Sequence, residues 1–142
     1  MGKLTKRKNA RKQLIQSLYE WHMSQNDITD IMAFTLTRRK DKIDHEYYQE
    51  LLSKIVAEVD IIDELISPFT SRNINEVDPI ELAILRLSCF ELLHRLDLPY
   101  KVVINEALDN AKLFGATESH KFVNGVLDKL ASKLRSLEQG RA

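Results

Sequence analysis

Between Asp78 and His94 apolar residues outnumber polar ones and fall on nearly every side of a helix: Ile80, Leu82, Ala83, Ile84, Leu85, Leu87, Cys89, Phe90, Leu92 and Leu93. The segment opens with Asp78-Pro79-Ile80-Glu81, which supplies an N-cap, a proline at the first helical position and an acid three residues after the cap. A helix begun there is apolar around nearly its whole circumference, so other elements must cover it on nearly every side. No stretch of the chain approaches the ~18 consecutive apolar residues of a membrane span, so that cover has to be protein. The segment is the expected buried centre of the fold, and Pro99 follows its end.

The rest of the chain has a helical pattern. Only four glycines and three prolines occur in 142 residues, and strand-like runs of β-branched and aromatic residues are absent. Thr5 can cap a first helix reaching about Ser24, with Ala10, Leu14, Leu18 and Trp21 in one core-facing arc. A short second helix follows Asn26-Asp27, with Ile28, Ile31, Met32 and Leu36 apolar, and Arg38-Arg39-Lys40 marks an exposed connection. A third helix runs from Asp44, where Ile43 can staple onto Tyr48, to Pro68, and carries Tyr48, Leu51, Leu52, Ile55, Val59, Ile62 and Ile66 on one stripe. Residues Phe69 to Val77 read as a joint. Beyond the central segment, Lys101 to Phe114 form a helix closed by Gly115 in a left-handed C-cap. A last helix from about Thr117 presents Val123, Val126, Leu127, Leu130, Leu134 and Leu137, and the tail Gln139-Gly140-Arg141-Ala142 is expected to fray. The fold class is all-α: one domain over 1–142, built as two adjoining small helical bundles around the buried central helix, with halves of about 1–68 and 69–142.

Charge is balanced in total, 21 basic against 21 acidic residues, but not in distribution. Met1 to Tyr19 contains Lys3, Lys6, Arg7, Lys8, Arg11 and Lys12 and no acid. Lys8, Arg11, Lys12, Ile15 and Tyr19 line up away from the core arc, so cations and an aromatic ring are expected on one exposed stripe. Such a stripe can hold phosphates and stack an unpaired base, which suits splayed single-stranded RNA better than duplex DNA. The charge pattern alone is equally compatible with a merely solvated basic face. On the last helix Phe122 falls at the border of the apolar stripe near Gly125 and Lys129, where a partly exposed ring is expected, and the residues alone favour an edge-of-core packing role for it. Gly125 costs about 1 kcal/mol in a helix interior, which points to close approach by a neighbouring helix or a ligand backbone. Asn105 and Asn124 read as hydrogen-bonded core groups.

Catalysis finds little support. His22, His45, His94 and His120 are scattered, one cysteine cannot build a structural zinc site, and neither a phosphate-binding nor a dinucleotide-binding glycine motif occurs. Asp60, Asp63 and Glu64 read as a solvated acidic face. No catalytic residue, metal or cofactor is assigned. A single Cys89 without a partner, no signal peptide and no membrane segment point to a reduced, cytoplasmic setting.

Four segments carry a family resemblance. Lys6-Arg7-Lys8-Asn9-Ala10-Arg11 with Leu18-Tyr19-Glu20-Trp21, and Ala83-Ile84-Leu85-Arg86-Leu87 with Phe90-Glu91-Leu92, are two of them. The others are Pro99-Tyr100-Lys101-Val102-Val103-Ile104-Asn105-Glu106-Ala107 with Ala111-Lys112 and Phe114-Gly115, and Ser119-His120-Lys121-Phe122-Val123-Asn124-Gly125-Val126-Leu127-Asp128. Together they resemble the NusB family of transcription antitermination factors across nearly the full chain. The resemblance implies a non-catalytic RNA-binding protein that pairs with NusE, a small-subunit ribosomal protein. The pair would bind single-stranded boxA RNA in antitermination complexes with other Nus factors and RNA polymerase, including those on ribosomal RNA operons. It implies RNA-contacting roles for Lys6, Arg7, Lys8, Arg11, Tyr19, Lys121 and Phe122, and a NusE-facing surface around Glu81 and Glu118. Asn9 interrupts a basic run that is denser in some members, and Lys8 stands where arginine is frequent, which implies weaker and less tightly oriented phosphate contacts. A homodimer whose self-contact covers the basic helix is the alternative assembly.

Overall fold

Helices account for all the regular structure in the computed structural model, which describes residues 1–39 and 41–138; no strand occurs among them. The chain forms two compact units, Met1–Glu58 and Val59 onward.

The first unit packs α1 (Lys3–Ser24), α2 (Ile28–Arg39) and α3 (His45–Ala57) against one another pairwise. Helix α1 starts at Lys3 with Gly2 at the cap position, three residues before the expected Thr5 cap, and is closed by Gln25 in the left-handed region, φ 59°. Its buried arc takes in Ala10, Leu14 and Leu18 as expected but also Arg11, Ile15 and Ser17, while Trp21 is only half-buried. Packing against two helices rather than one widens that arc to about 160° at 100° per residue. Asp27 Oδ1 accepts the Thr29 N–H at 2.7 Å at the start of α2, and Asp44 Oδ1 accepts the Tyr47 N–H at 3.1 Å to cap α3. Ile43 and Tyr48, the expected staple pair, are both buried. The Tyr48 hydroxyl is paired with Ser17 Oγ at 2.7 Å.

The long third helix expected over 44–67 is two helices. Glu58, at φ −106° and ψ 15°, leaves the helical region, and α4 (Val59–Ile66) begins anew. No glycine or proline marks the place, and Ile55 before it and Ile62 after it are both fully buried, so the apolar pattern runs straight across the break.

In the second unit α5 (Pro79–His94) is buried without interruption from Glu81 to Leu92 and packs against α4, α6 (Tyr100–Phe114) and α7 (Ser119–Leu134). Short 3-10 turns at Ser67–Phe69 and Ile74–Glu76 connect α4 to α5. Arg86, buried in α5, is matched by Asp63 of α4 through two parallel bonds, Nε–Oδ1 at 2.9 Å and Nη2–Oδ2 at 2.8 Å. Asp63 therefore belongs to a fork-shaped ion pair rather than to a solvated acidic face.

The end of α5 is closed from far along the chain. Arg135, just past α7, donates from Nε to Leu92 O at 2.7 Å, from Nη1 to Leu98 O at 2.9 Å and from Nη2 to Arg95 O at 2.9 Å and Glu91 O at 3.3 Å. It also binds Glu138 Oε1 at 2.6 Å, and Glu138 Oε2 accepts the Tyr100 N–H at 2.7 Å, capping α6 where Pro99 offers no side chain. One ion pair thus serves two helix ends. Because α7 stops at Leu134, Leu137 falls off its stripe and is 85% exposed, against the expectation of a core position.

Three further expectations are corrected. Gly115 is extended, φ −92° and ψ 178°, so glycine is needed for space: a Cβ there would lie 2.7 Å from Ala111 O and from Ser119 Cβ and Oγ. Asn105 and Asn124 are exposed, whereas Asn110 and Ser119 are the buried polar side chains on their helices. Gly125 meets no neighbouring helix, since a Cβ built on it would have nothing within 4 Å. The expected tail fraying and Lys40 of the basic connection lie outside the described residues. No helix is long and apolar enough to cross a membrane.

Candidate nucleic-acid interface

Each unit carries a candidate surface of its own. On α1 the exposed stripe is narrower than expected: Lys8, Lys12 and Tyr19 lie within about 40° of one another. Lys8 and Tyr19 are exposed, Tyr19 to 36%, and Lys12 is half-buried. Arg11 and Ile15 do not belong to it. Arg11 is only 4% exposed and Ile15 is fully buried, because they sit on the flank of the arc that packs inward.

Lys6 and Arg7 are half-buried near the start of α3. Arg7 Nε donates to Asp44 Oδ2 at 3.2 Å, and its guanidinium carbon lies 3.8 Å from the centroid of the Tyr47 ring. Arg11 approaches the same ring, 5.6 Å from its centroid. The Asp44 carboxyl feels burial that would raise its pKa, yet the Tyr47 backbone N–H, the Arg7 guanidinium and the charge of Lys3 together hold it below the usual carboxylate value. The segment before α3 is tied back to α1 by two more bonds: the Asp44 N–H donates to Lys6 O at 3.1 Å and Asn9 Nδ2 to Lys42 O at 2.9 Å. Asn9, read as a gap in the basic run, thus holds the connection beside it.

In the second unit, Lys121 is exposed and pairs with exposed Glu118, Nζ–Oε2 2.9 Å, one turn apart on the start of α7. Phe122 is half-buried, with the Arg72 guanidinium 4.8 Å from its ring centroid. An open groove of about 430 Å³ runs past it, bordered by Phe69, Thr70, Lys121, Gly125 and Lys129. The groove offers a ring, cations on its rim and an empty place over Gly125, which together could receive a base and its phosphate. Glu81, 8% exposed, accepts a hydrogen bond from Ser119 Oγ at 2.7 Å, while that oxygen accepts the Ala116 N–H at 3.0 Å. Of the two acids expected on a partner-facing surface, Glu118 is exposed and Glu81 lies mostly beneath the surface.

Sequence reasoning missed Tyr47 and Arg72. The signal for Tyr47 was its place as the third residue after the Asp44 cap, beside a tyrosine already assigned to the core. Arg72 was a lone cation in a connection read only as a joint.

A family model, the NusB family, matches residues 8–132. The transcription antitermination protein NusB of Pseudomonas savastanoi pv. phaseolicola is 49% identical over 138 residues, covering 96% of this chain and 84% of the relative. Its counterpart in Idiomarina loihiensis is 49% identical over 134 residues, covering 94% and 96%. Among solved structures, T. maritima NusB superimposes with a TM-score of 0.84 at 27% identity, covering 94% of this chain and 96% of that one. A crystal structure of antitermination factors NusB and NusE in complex with dsRNA gives a TM-score of 0.81 at 25% identity, covering 89% and 96%. With the all-helical fold, the basic first helix and matches that span nearly its whole length, this chain belongs to the NusB family.

Proposed function

We propose that this protein binds RNA together with NusE as a transcription antitermination factor, recognising boxA RNA in antitermination complexes that contain other Nus factors and RNA polymerase, including those on ribosomal RNA operons. The observation that carries the reading is the likeness to NusB proteins over nearly the full length, one of them solved with NusE and dsRNA. In this reading Lys6, Arg7 and Lys8 hold the RNA backbone, Tyr19 and Phe122 engage bases, Lys121 adds a phosphate contact, and Arg11 supports the site from beneath rather than touching RNA. Glu118, with Glu81 behind it, faces basic groups of NusE.

Exposed Tyr19 and the open groove at Phe122 favour unpaired over paired RNA, because a stacked base is not free to reach either ring. The test is titration of labelled boxA RNA, single-stranded and as a duplex, with and without NusE. Tighter binding of the single strand when NusE is added is expected, and no gain on adding NusE refutes the reading. The log-log salt slope should steepen by about 0.7 per phosphate contact, and Lys8→Ala should make it shallower.

A further inference from the structure

Arg7 is held in a way that goes beyond a surface cation. Its Nε–H is committed to Asp44 Oδ2 at 3.2 Å, and its guanidinium carbon lies over the Tyr47 ring, 3.8 Å from the centroid. Both partners are themselves fixed: Tyr47 is 3% exposed, and Asp44 is anchored by the Tyr47 N–H on its side chain and by Lys6 O on its own N–H. A guanidinium carries five N–H groups in a rigid fork. The Asp44 bond uses Nε–H alone, so the N–H groups of the two terminal nitrogens are not consumed by it. The Arg7 side chain keeps 24% of its surface in solvent.

We infer that Tyr47 and Asp44 are positioning residues for RNA binding, which lock the Arg7 fork so that its terminal nitrogens can grip one phosphate bidentately. The inference rests on the RNA-binding reading above and adds to it two residues that do not touch RNA. A flexible arginine must freeze several rotors when it binds, whereas a guanidinium already stacked and bonded has made that sacrifice during folding. The same geometry explains why a lysine at this position would not serve: it has neither a flat face for the ring nor two donors in one plane.

A merely structural clasp, pinning the start of α3 to α1, would show the same contacts, so the test is a double-mutant cycle in RNA affinity. Labelled boxA RNA with NusE is titrated with wild type, Tyr47→Leu, Arg7→Ala and the double variant. Tyr47→Leu should weaken binding about 10-fold (about 1.4 kcal/mol) when Arg7 is present and have no further effect when it is alanine. Tyr47→Phe, which keeps the ring, should restore binding to within about twofold, and Arg7→Lys should resemble Arg7→Ala. Should Tyr47→Leu fail to fold by circular dichroism, Asp44→Asn replaces it, since asparagine retains the capping oxygen but loses the charge. In NMR spectra the Arg7 Nε–H should give a resolved, exchange-protected signal that Tyr47→Leu broadens. Equal losses from Tyr47→Leu in both backgrounds would overturn the inference while leaving RNA binding intact, as would an Arg7→Ala variant that binds like wild type. Absence of RNA binding by the wild-type protein with NusE would overturn both.

Discussion

Arg135 offers the sharpest test of how the second unit is held together. Its guanidinium donates to the carbonyls of Glu91, Leu92, Arg95 and Leu98 and to Glu138, all within 3.3 Å, and it is 4% exposed. Arg135→Met retains a long apolar stem but removes every donor. Bonds to a charged group contribute about 1.5–3 kcal/mol each, and a simple sum over this set would rival the entire stability of a domain, about 5–15 kcal/mol. The sum overcounts, because carbonyls at a helix end regain water when the last turn opens. Deleting one partner of a buried charged cluster costs about 3–5 kcal/mol, and that is the expected loss. With a urea m-value near 2 kcal/mol/M for a chain of this size, the midpoint followed by far-UV circular dichroism should fall by about 1.5–2.5 M. Arg135→Lys should recover less than half of it, since one ammonium cannot reach carbonyls spread along a turn. Glu138→Gln, which keeps an oxygen for the Tyr100 N–H, should cost little. A midpoint shift under about 0.5 M for Arg135→Met would show that water serves those carbonyls as well as the arginine does, and would refute the argument.

Gly115→Ala should destabilise by about 1–3 kcal/mol, because its Cβ must displace main-chain oxygen at Ala111 as well as Ser119; an unchanged thermal midpoint would disprove the crowding. Gly125→Ala, with open space around it, should instead stabilise α7 by about 0.5–1 kcal/mol and weaken RNA binding in a filter assay, since the added methyl occupies the groove beside Phe122. Burial, and secondarily the charge of Asp63, push the Cys89 thiol up to about 12, so native protein should resist a disulfide reagent at pH 8 and react only when unfolded; rapid native labelling would contradict that. The Asp44 carboxyl, though burial acts to raise it, is held below its ordinary value by the Tyr47 N–H, Arg7 and Lys3, so its stabilising effect is complete above the unfolded value, about pH 4, and disappears as pH falls through the lower folded value. Thermal midpoints measured from about pH 6 down to pH 2 should therefore fall more steeply for wild type than for Asp44→Asn, and parallel curves would remove Asp44 from the acid response.

Two helix starts were legible from one residue's chemistry, although the Thr5 cap expected for α1 was not realised. Asp78-Pro79 opens α5 and Asp44 caps α3 because a carboxylate bonding its own helix's first N–H groups needs no tertiary context. The break at Glu58 was not legible, because the apolar period continues through it and no glycine or proline marks it. Gly115 was foreseen as a helix end for the wrong reason: backbone freedom can be inferred from residue type, whereas the crowding at Ser119 is tertiary. The candidate site divides in the same way. Lys8, Tyr19 and Lys121 lie on exposed faces that helical phase could supply, but Arg11 is buried because α1 meets two helices, a fact absent from its own periodicity. Tyr47 meets Arg7, and Arg72 meets Phe122, across long stretches of chain; the Asp44 cap marked where Tyr47 lies but not the arginine it meets, and Arg72 carried no mark at all.

The Arg135 clasp also sets an order of events during synthesis. Helix α5 ends at His94, yet the side chain that satisfies its last carbonyls is made 43 residues after Leu92, and the acid that caps α6 comes three residues later still. As the chain leaves the ribosome, the last carbonyls of α5 and the first N–H of α6 have only water until Arg135 and Glu138 emerge, while the clasp of the first unit, Arg7 on Asp44, needs nothing beyond α3. The N-terminal basic helix can therefore be secured while the second unit is still being translated, and locking of that second unit coincides with completion of α7.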